Sequence, residues 1–341
     1  MQTLIYSNEV LPMNIDAIAG EFGCRVLYSK PLRAVNLAQT DRGLVIIKES
    51  YREPDKILYI HGLKEYLHNN GFTCIDRYLL SKYELPFAIY ENRIFVMEDY
   101  IAGRECSFTN PFDRAAIVKA LAQLHNAGRG YEPPTGAAVR NSIGKWDRAY
   151  RGKIEDLIWF KEIAGKKRKK STLDKMFLQD VDSYIEMGWR GFDTLKGSEY
   201  VNICKEAKKD NVICHHDYTY HNIIIGPGGT VNVIDFDYSC HELTVYDLAA
   251  LIQKVLKRYS YDIDIALELI DDYCSIAPLS RDDLVLMLSL FEFPQRFWRI
   301  TERYYHDKYN WDEKTFLSKY NDTVIMKEFV RDFVEDFRKY I

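Results

Sequence analysis

The chain has 341 residues, with 46 lysines and arginines against 50 aspartates and glutamates, for a formal net charge of -4. A balance so close to neutral excludes a protein that coats nucleic acid through bulk positive charge. A hydrophobic fraction of 47%, with 14% aromatic residues, excludes a largely disordered chain and supports a sizeable core.

In chain order, the opening MQTLIYSNEVLPMNIDAIAG lacks a basic stretch followed by an apolar one, so no signal peptide is expected. CRVLYSK, RAVNLAQT and GLVIIKES are short β-prone runs over residues 24–50, broken at Pro31 and at Asp41-Arg42-Gly43. They predict an antiparallel meander. Pro54 starts a predicted helix that stops at Gly71, with Ile57, Ile60, Leu63, Lys64 and Leu67 at helical spacing. RYLLSKY, PFAIYE and RIFVMEDY then return to strand character. After Ile101-Ala102-Gly103 the pattern turns helical over 113–127, 146–164, 174–187 and 198–209. Two apolar runs around Pro227-Gly228-Gly229 predict a brief β interlude, and helices resume to the end of the chain. The division expected is a sheet with one long helix over residues 1–98 and a mainly helical part over 99–341.

Seven dispersed cysteines without a C-x-x-C pair read neither as a disulfide framework nor as a zinc site, and favour a reducing, cytoplasmic setting. No segment offers ~18 consecutive apolar residues, so no membrane span is expected. Lys166-Lys167-Arg168-Lys169-Lys170 reads as a solvated loop or helix end. The aromatic stretch FEFPQRFWRITERYYHDKYNW reads first as helix packing, with Phe297, Trp298, Tyr304 and Tyr305 as alternative pocket-lining residues.

The chemistry-bearing pattern lies in His215-His216-Asp217-Tyr218-Thr219-Tyr220-His221-Asn222, followed by Asp235 at the end of VNVID. A hairpin between them brings its two ends together, so Asp217, Asn222 and Asp235 can converge, and three oxygen-bearing side chains suit Mg²⁺ with phosphate oxygens. Phosphoryl transfer also needs a lysine on the phosphates. Lys48 ends the apolar run Leu44-Val45-Ile46-Ile47, where an inward charge requires a partner. Glu65, on the following helix, is the expected partner, with Glu53 as a nearer alternative in sequence. Zinc at His215, His216 and His221 is disfavoured, because adjacent histidines rarely share one ion and no fourth N or S donor stands nearby.

VIIKES, LKEYLHNNGF, FVMEDYIAGRE, CHHDYTYHNIIIG, VIDFD and YDLA resemble the aminoglycoside phosphotransferase and choline kinase superfamily. EDYIAGREC, LHNAGRGY and HHDYTYHNIII are most similar to CotS-like spore coat proteins. The resemblance covers essentially the full chain. It implies an α+β, protein-kinase-like fold of two lobes: a small antiparallel sheet with a helix, then a mainly helical lobe.

It further implies ATP and Mg²⁺ as cofactors, Asp217 as the catalytic-loop base, Asn222 and Asp235 as metal ligands, and Lys48 with Glu65 as the phosphate-positioning pair. Glu98, Asp99 and Tyr100 match the hinge whose backbone meets adenine, and Asn36 matches a nucleotide-side asparagine. His215 and Asp247 match residues that brace the loop. The implied partners are a small-molecule hydroxyl acceptor and other spore coat proteins, with no nucleic acid or membrane, in the cytoplasm or the coat.

Two departures bear on activity. The loop expected over the phosphates, Ser29-Lys30-Pro31-Leu32-Arg33-Ala34-Val35-Asn36, has no glycine to let backbone N–H groups approach, although Lys30 or Arg33 can supply charge. Asp235-Phe236-Asp237 stands where protein kinases have D-F-G, which argues against a protein substrate. The expectation is therefore an ATP-dependent small-molecule kinase associated with the spore coat. Its alternative is a kinase-like coat scaffold with weak or no chemistry.

Overall fold

A computed structural model describes residues 13–306 and 311–341. It divides into two compact units, the first made of the chain up to Glu65, Ile75–Ala102 and Pro133–Val139, the second of Tyr66–Cys74, Gly103–Glu132 and Arg140–Ile341.

The first unit opens with helix α1 (Ile15–Glu21), whose first turn is capped by the Asn14 side chain on the Ala17 N–H. At seven residues α1 is too short to announce itself by periodicity, and sequence reasoning missed it. Strands β1 (Val26–Leu32), β2 (Val35–Thr40) and β3 (Gly43–Ser50) form the expected meander. Leu32 faces Val35 across a two-residue turn in which Arg33, at φ 54°, holds the left-handed position that glycine usually fills. Helix α2 (Pro54–Asn69) follows, then β4 (Ala88–Tyr90) and β5 (Arg93–Asp99). The sheet order is β1-β2-β3-β5-β4, with every neighbouring pair antiparallel.

One face of this sheet buries Ala38, Val45, Ile47, Phe95 and Met97 against Ile18, Ala19 and Phe22 of α1 and its C-terminal cap. The strand expected over residues 77–83 is reduced to a single bridge between Tyr78 and Glu98. The chain follows β5 only as far as the Leu79 N–H on the Met97 carbonyl, and then turns so that the Glu84 N–H reaches the Ser81 carbonyl.

The second unit holds β6 (Arg104–Glu105), α3 (Pro111–Gly128), α4 (Trp146–Lys166), α5 (Thr172–Lys196) and α6 (Tyr200–Lys209), then the hairpin of β7 (Ile223–Ile225) and β8 (Val231–Val233). Six helices complete it: α7 (Val245–Leu256), α8 (Ile263–Cys274), α9 (Arg281–Glu292), α10 (Gln295–Tyr305), α11 (Glu313–Ile325) and α12 (Lys327–Tyr340). The two-residue β6 lies beside β7 and was not legible, being too short to show alternation. Helix α5 runs well past the expected 174–187, started by a capping box between Ser171 and Asp174.

A core of Leu157, Phe160, Phe177, Val181, Tyr184, Phe297 and Tyr320 joins α4, α5, α10 and α11. Phe297 is buried in it, and Trp298, Tyr304 and Tyr305 pack against it, so the packing reading of these aromatics holds. Tyr309 of the same stretch and the opening dozen residues lie outside the described residues. The basic run ends α4, with Lys167 on both Asp174 carboxylate oxygens at 2.8 and 3.0 Å and Lys170 on the Gly165 and Lys167 carbonyls. No helix among the described residues is long and apolar enough to cross a membrane.

Candidate active site

In the first unit, Lys48 leaves β3 on the face opposite Val45 and Ile47. Its cross-strand partner is Val96, and the diagonal neighbour on the same face is Glu98. Lys48 Nζ lies 3.1 Å from Glu98 Oε2. Lys48 thus meets a carboxylate of the neighbouring strand, Glu98, and Glu65 on α2 takes a two-pronged contact from Arg77, at 2.9 Å from Nε and 2.5 Å from Nη2. Strand register decides this, since it sets Glu98 beside Lys48 before any helix is added.

The residue of α2 that does reach this cluster is Lys64. It is fully buried, with Nζ at 2.9 Å from Glu98 Oε1, 3.0 Å from Asp76 Oδ1 and 2.7 Å from the Asp76 carbonyl. Two ammonium groups and two carboxylates therefore share one buried cluster. Burial opposes the charge on Lys64, but Asp76 and Glu98 outweigh it and raise its pKa. Burial likewise opposes the Glu98 charge, and Lys48 and Lys64 outweigh it, so its carboxyl is held below the usual range. Sequence reasoning assigned neither Lys64 nor Asp76 a role. The available signal was a lysine among the apolar positions of α2.

Of the other expected nucleotide-side residues, Tyr100 uses its N–H on the Leu44 carbonyl at 3.2 Å, and the Asp99 N–H meets the Arg77 carbonyl at 3.0 Å. These two backbone donors are thus engaged inside the unit. Asn36 lies on β2 opposite Ile47 and directs its amide at Met13 Sδ, 3.3 Å away.

In the second unit the loop from His215 to Asn222 is held from several sides. Asp247, one turn into α7, accepts the His215 N–H at 2.6 Å and the His216 N–H at 2.9 Å, one on each oxygen. Its own charge is steadied by His125, whose Nε2 lies 3.4 Å away. Burial works against the Asp247 carboxylate, yet His125 and the neighbouring histidines hold its pKa down to about 2.

The buried His215 ring bridges the loop and hairpin: Nδ1 accepts the Asp217 N–H at 3.3 Å, and Nε2 lies 3.1 Å from the Ile234 carbonyl, a pattern that puts the ring proton on Nε2. Burial lowers its pKa, so the ring is neutral, as bracing requires. His216, at φ 67°, stacks on Tyr246 with 4.4 Å between ring centroids. Lys254, two turns beyond Asp247 on α7, reaches the Tyr218 carbonyl at 2.8 Å. Its place on the same helix face as Asp247 was the signal by which it was findable.

The hairpin brings the remaining groups together. Ile223 pairs with Val233, and the Ile234 N–H donates to the Asn222 carbonyl at 2.9 Å, so Asn222 and Asp235 leave the same end. Asn222 Nδ2 donates to the Asp217 carbonyl at 3.0 Å and to Asp217 Oδ2 at 3.1 Å. That leaves the Asn222 Oδ1 as an oxygen donor. Asp235 takes a left-handed conformation at φ 63°, ψ 70°, a strained choice for a residue with a side chain. Asp217 and Asp235 are both half-buried. An amide oxygen and a carboxylate at one hairpin end are hard donors that fit Mg²⁺ and do not resemble a thiolate or imidazole site.

A family model described as "Spore coat putative kinase YutH" matches residues 17–337. Spore coat protein S of Bacillus subtilis is 23% identical over 323 residues, covering 90% of this chain and 88% of its own length. Among solved structures, an aminoglycoside phosphotransferase from Alicyclobacillus acidocaldarius superposes with a TM-score of 0.85 at 17% identity, covering 99% of both chains. A spectinomycin phosphotransferase in an AMP-bound complex gives 0.67 at 15% identity, covering 93% of this chain and 96% of its own. The fold is therefore the protein-kinase-like fold of the aminoglycoside phosphotransferases.

Proposed function

The chain belongs to the spore coat kinase-like family whose model it matches, and on that premise we propose that it is an ATP- and Mg²⁺-dependent phosphotransferase acting on a hydroxyl of a small molecule, placed in or beside the spore coat. The observation that carries this reading is the hairpin end where Asn222, locked to Asp217 through its amide, stands with Asp235. ATP bound with magnesium supplies the γ-phosphoryl group, whose phosphorus gains the acceptor oxygen as its bond to the β-phosphate oxygen breaks, leaving ADP.

Asp217 orients the acceptor hydroxyl and accepts its proton. Asn222 Oδ1 and the Asp235 carboxylate are the groups assigned to the metal, and Lys48, held by Glu98, is assigned to phosphate. His215, Asp247 and Lys254 position the loop without touching substrate. A calorimetric titration with ATP, with and without Mg²⁺, tests this. Magnesium-dependent binding that Asp235→Asn removes supports it, and no binding at millimolar ATP overturns it.

One observation favours a second reading, a scaffold of the coat with little chemistry. The β1–β2 turn has Arg33 and Ala34 where close backbone approach to phosphate favours glycine. Under that reading the titration is silent while incorporation into spores is intact.

A further inference from the structure

The second unit contains a cavity of about 540 Å³ beside the Asp217 loop, within the size range of small-molecule sites. His216, the residue before Asp217, lines it, and so does Lys254, whose ammonium holds the Tyr218 carbonyl just after Asp217. Trp146, Tyr150, Tyr246 and Phe293 give it aromatic walls.

Its charge is one-sided. Lys145, Lys153, Lys254, Lys257, Arg296 and Arg299 all line it, and the one carboxylate among its lining residues is Glu242. These cations are poorly neutralised. Lys145 rests on the Asn141 carbonyl, Lys153 on Gln295 Oε1 at 2.7 Å and Lys254 on a carbonyl, all uncharged acceptors. Arg296 approaches Asp322 only to 3.7 Å, and its Nη1 is buried with no acceptor. Lys257 and Arg299 have no hydrogen-bond or ion-pair partner among the described residues.

Asp217 faces Lys254, Asp322 faces Lys257 and Asp156 faces Lys153, so some compensation comes from beyond the lining. It does not suffice. Burial and then Arg299 push the Lys153 ammonium down to about 8, while burial pushes the Glu242 carboxyl up to about 7, leaving little negative charge in the wall. A cavity with this field concentrates anions and repels cations.

We propose that the cavity takes an anionic alcohol, a small hydroxyl compound bearing a carboxylate or a phosphate, as the acceptor of the transferred phosphoryl group. As an acceptor assignment this rests on the phosphotransferase reading; as an anion site it does not. An amino alcohol or amino sugar, cationic at neutral pH, meets six like charges there. The aromatic walls suit the carbon skeleton of a polyol or a sugar ring, the cations its acidic group, and the end beside Asp217 its reacting hydroxyl.

The test is calorimetric titration of the full chain, without nucleotide, using four probes on one skeleton: glucose 6-phosphate, gluconate, glucose and glucosamine. The two anions are expected to bind at least ~10-fold tighter than glucose, with glucosamine weakest. Preference for the phosphate over the carboxylate, or the reverse, names the acidic group. A double variant, Lys257→Glu with Arg299→Glu, changes two exposed side chains and is expected to abolish the preference while the melting temperature holds. Equal or tighter binding of glucosamine, absence of anion binding at millimolar concentration, or a preference that survives the double variant overturns the proposal. Because nucleotide is omitted, an anion preference found in a protein that fails to bind Mg-ATP removes only the acceptor role and leaves the anion site standing.

Discussion

Glu98 accepts from two lysines at once, and each of the three charges is at least mostly withdrawn from water. Removing its charge takes a carboxylate from two ammonium groups at once, and breaking a buried ion pair by removing one partner typically costs about 3–5 kcal/mol. Glu98→Gln is therefore expected to lower stability by about 3 kcal/mol, read by denaturant unfolding. A loss under about 1 kcal/mol would show that water, not Glu98, balances the lysines. Glu242 gives a pH-dependent counterpart. Its folded pKa, pushed up by burial and by Asp247 against the Leu243 N–H, is about 7 rather than the ordinary 4.5. Its contribution is then complete below 4.5 and lost as pH rises through about 7. Unfolding free energy is expected to fall between those values, and Glu242→Gln to flatten that fall. Asp247 acts oppositely: depressed from 3.8 to about 2, it stabilises above 3.8 and ceases to do so as pH falls through about 2. At this scale the sequence singled out Asp217, Asn222 and Asp235 by their spacing around a hairpin and Lys48 by its place at the end of an apolar strand. It could not mark Glu98 as the counter-ion of Lys48, because that depends on a diagonal in the β3–β5 register.

Among elements, the hairpin of β7 and β8 was legible because two apolar runs flank a Pro-Gly-Gly turn, and its register does the work of joining Asn222 to Asp235. Short pieces were not legible: α1 and β6 fall below the length at which a period can be counted. Helix α5 shows how packing depends on a missing side chain. A Cβ on Gly191 would lie 3.0 Å from the Ser289 carbonyl oxygen and 3.1 Å from the Phe293 nitrogen, both backbone atoms that cannot rotate away. Gly191→Ala is expected to destabilise by about 1–3 kcal/mol and lower the melting temperature. An unchanged melting curve would mean that α5 and α9 sit farther apart. Asp247→Asn keeps the shape but turns one acceptor oxygen into a donor facing a backbone N–H, so it is expected to reduce transfer more than ten-fold through loop disorder. Broadening of the His215 and His216 amide resonances is the readout that distinguishes this from a direct chemical role.

Across the molecule, a formal charge of -4 conceals a strongly basic cavity, because six cations from separate stretches between 145 and 299 meet only after folding. Composition reports the sum and the fold sets the local field. Anion binding there is expected to weaken several-fold between low and physiological ionic strength, measured by titration at both, and salt independence would count against electrostatic selection. Asp217→Asn is expected to abolish transfer while thermal unfolding and incorporation into purified spores stay close to wild type. Transfer that persists unaltered in that variant would remove Asp217 from its assigned place. The fold class was readable from the order of the motifs along the chain, since strands, helix and loop residues follow one another at family spacing. The basic cavity was not, since its cations belong to no motif.

The strand-to-strand origin of the Lys48 counter-ion has a bearing on how far it depends on α2. An ion pair between a strand and a helix is broken when that helix is displaced. Here Lys48 and Glu98 stand on adjacent strands of one sheet, and an outward swing of α2 would take Lys64 away while leaving Glu98 to Lys48 alone. The Lys48–Glu98 contact is therefore fixed by strand register and does not depend on where α2 stands.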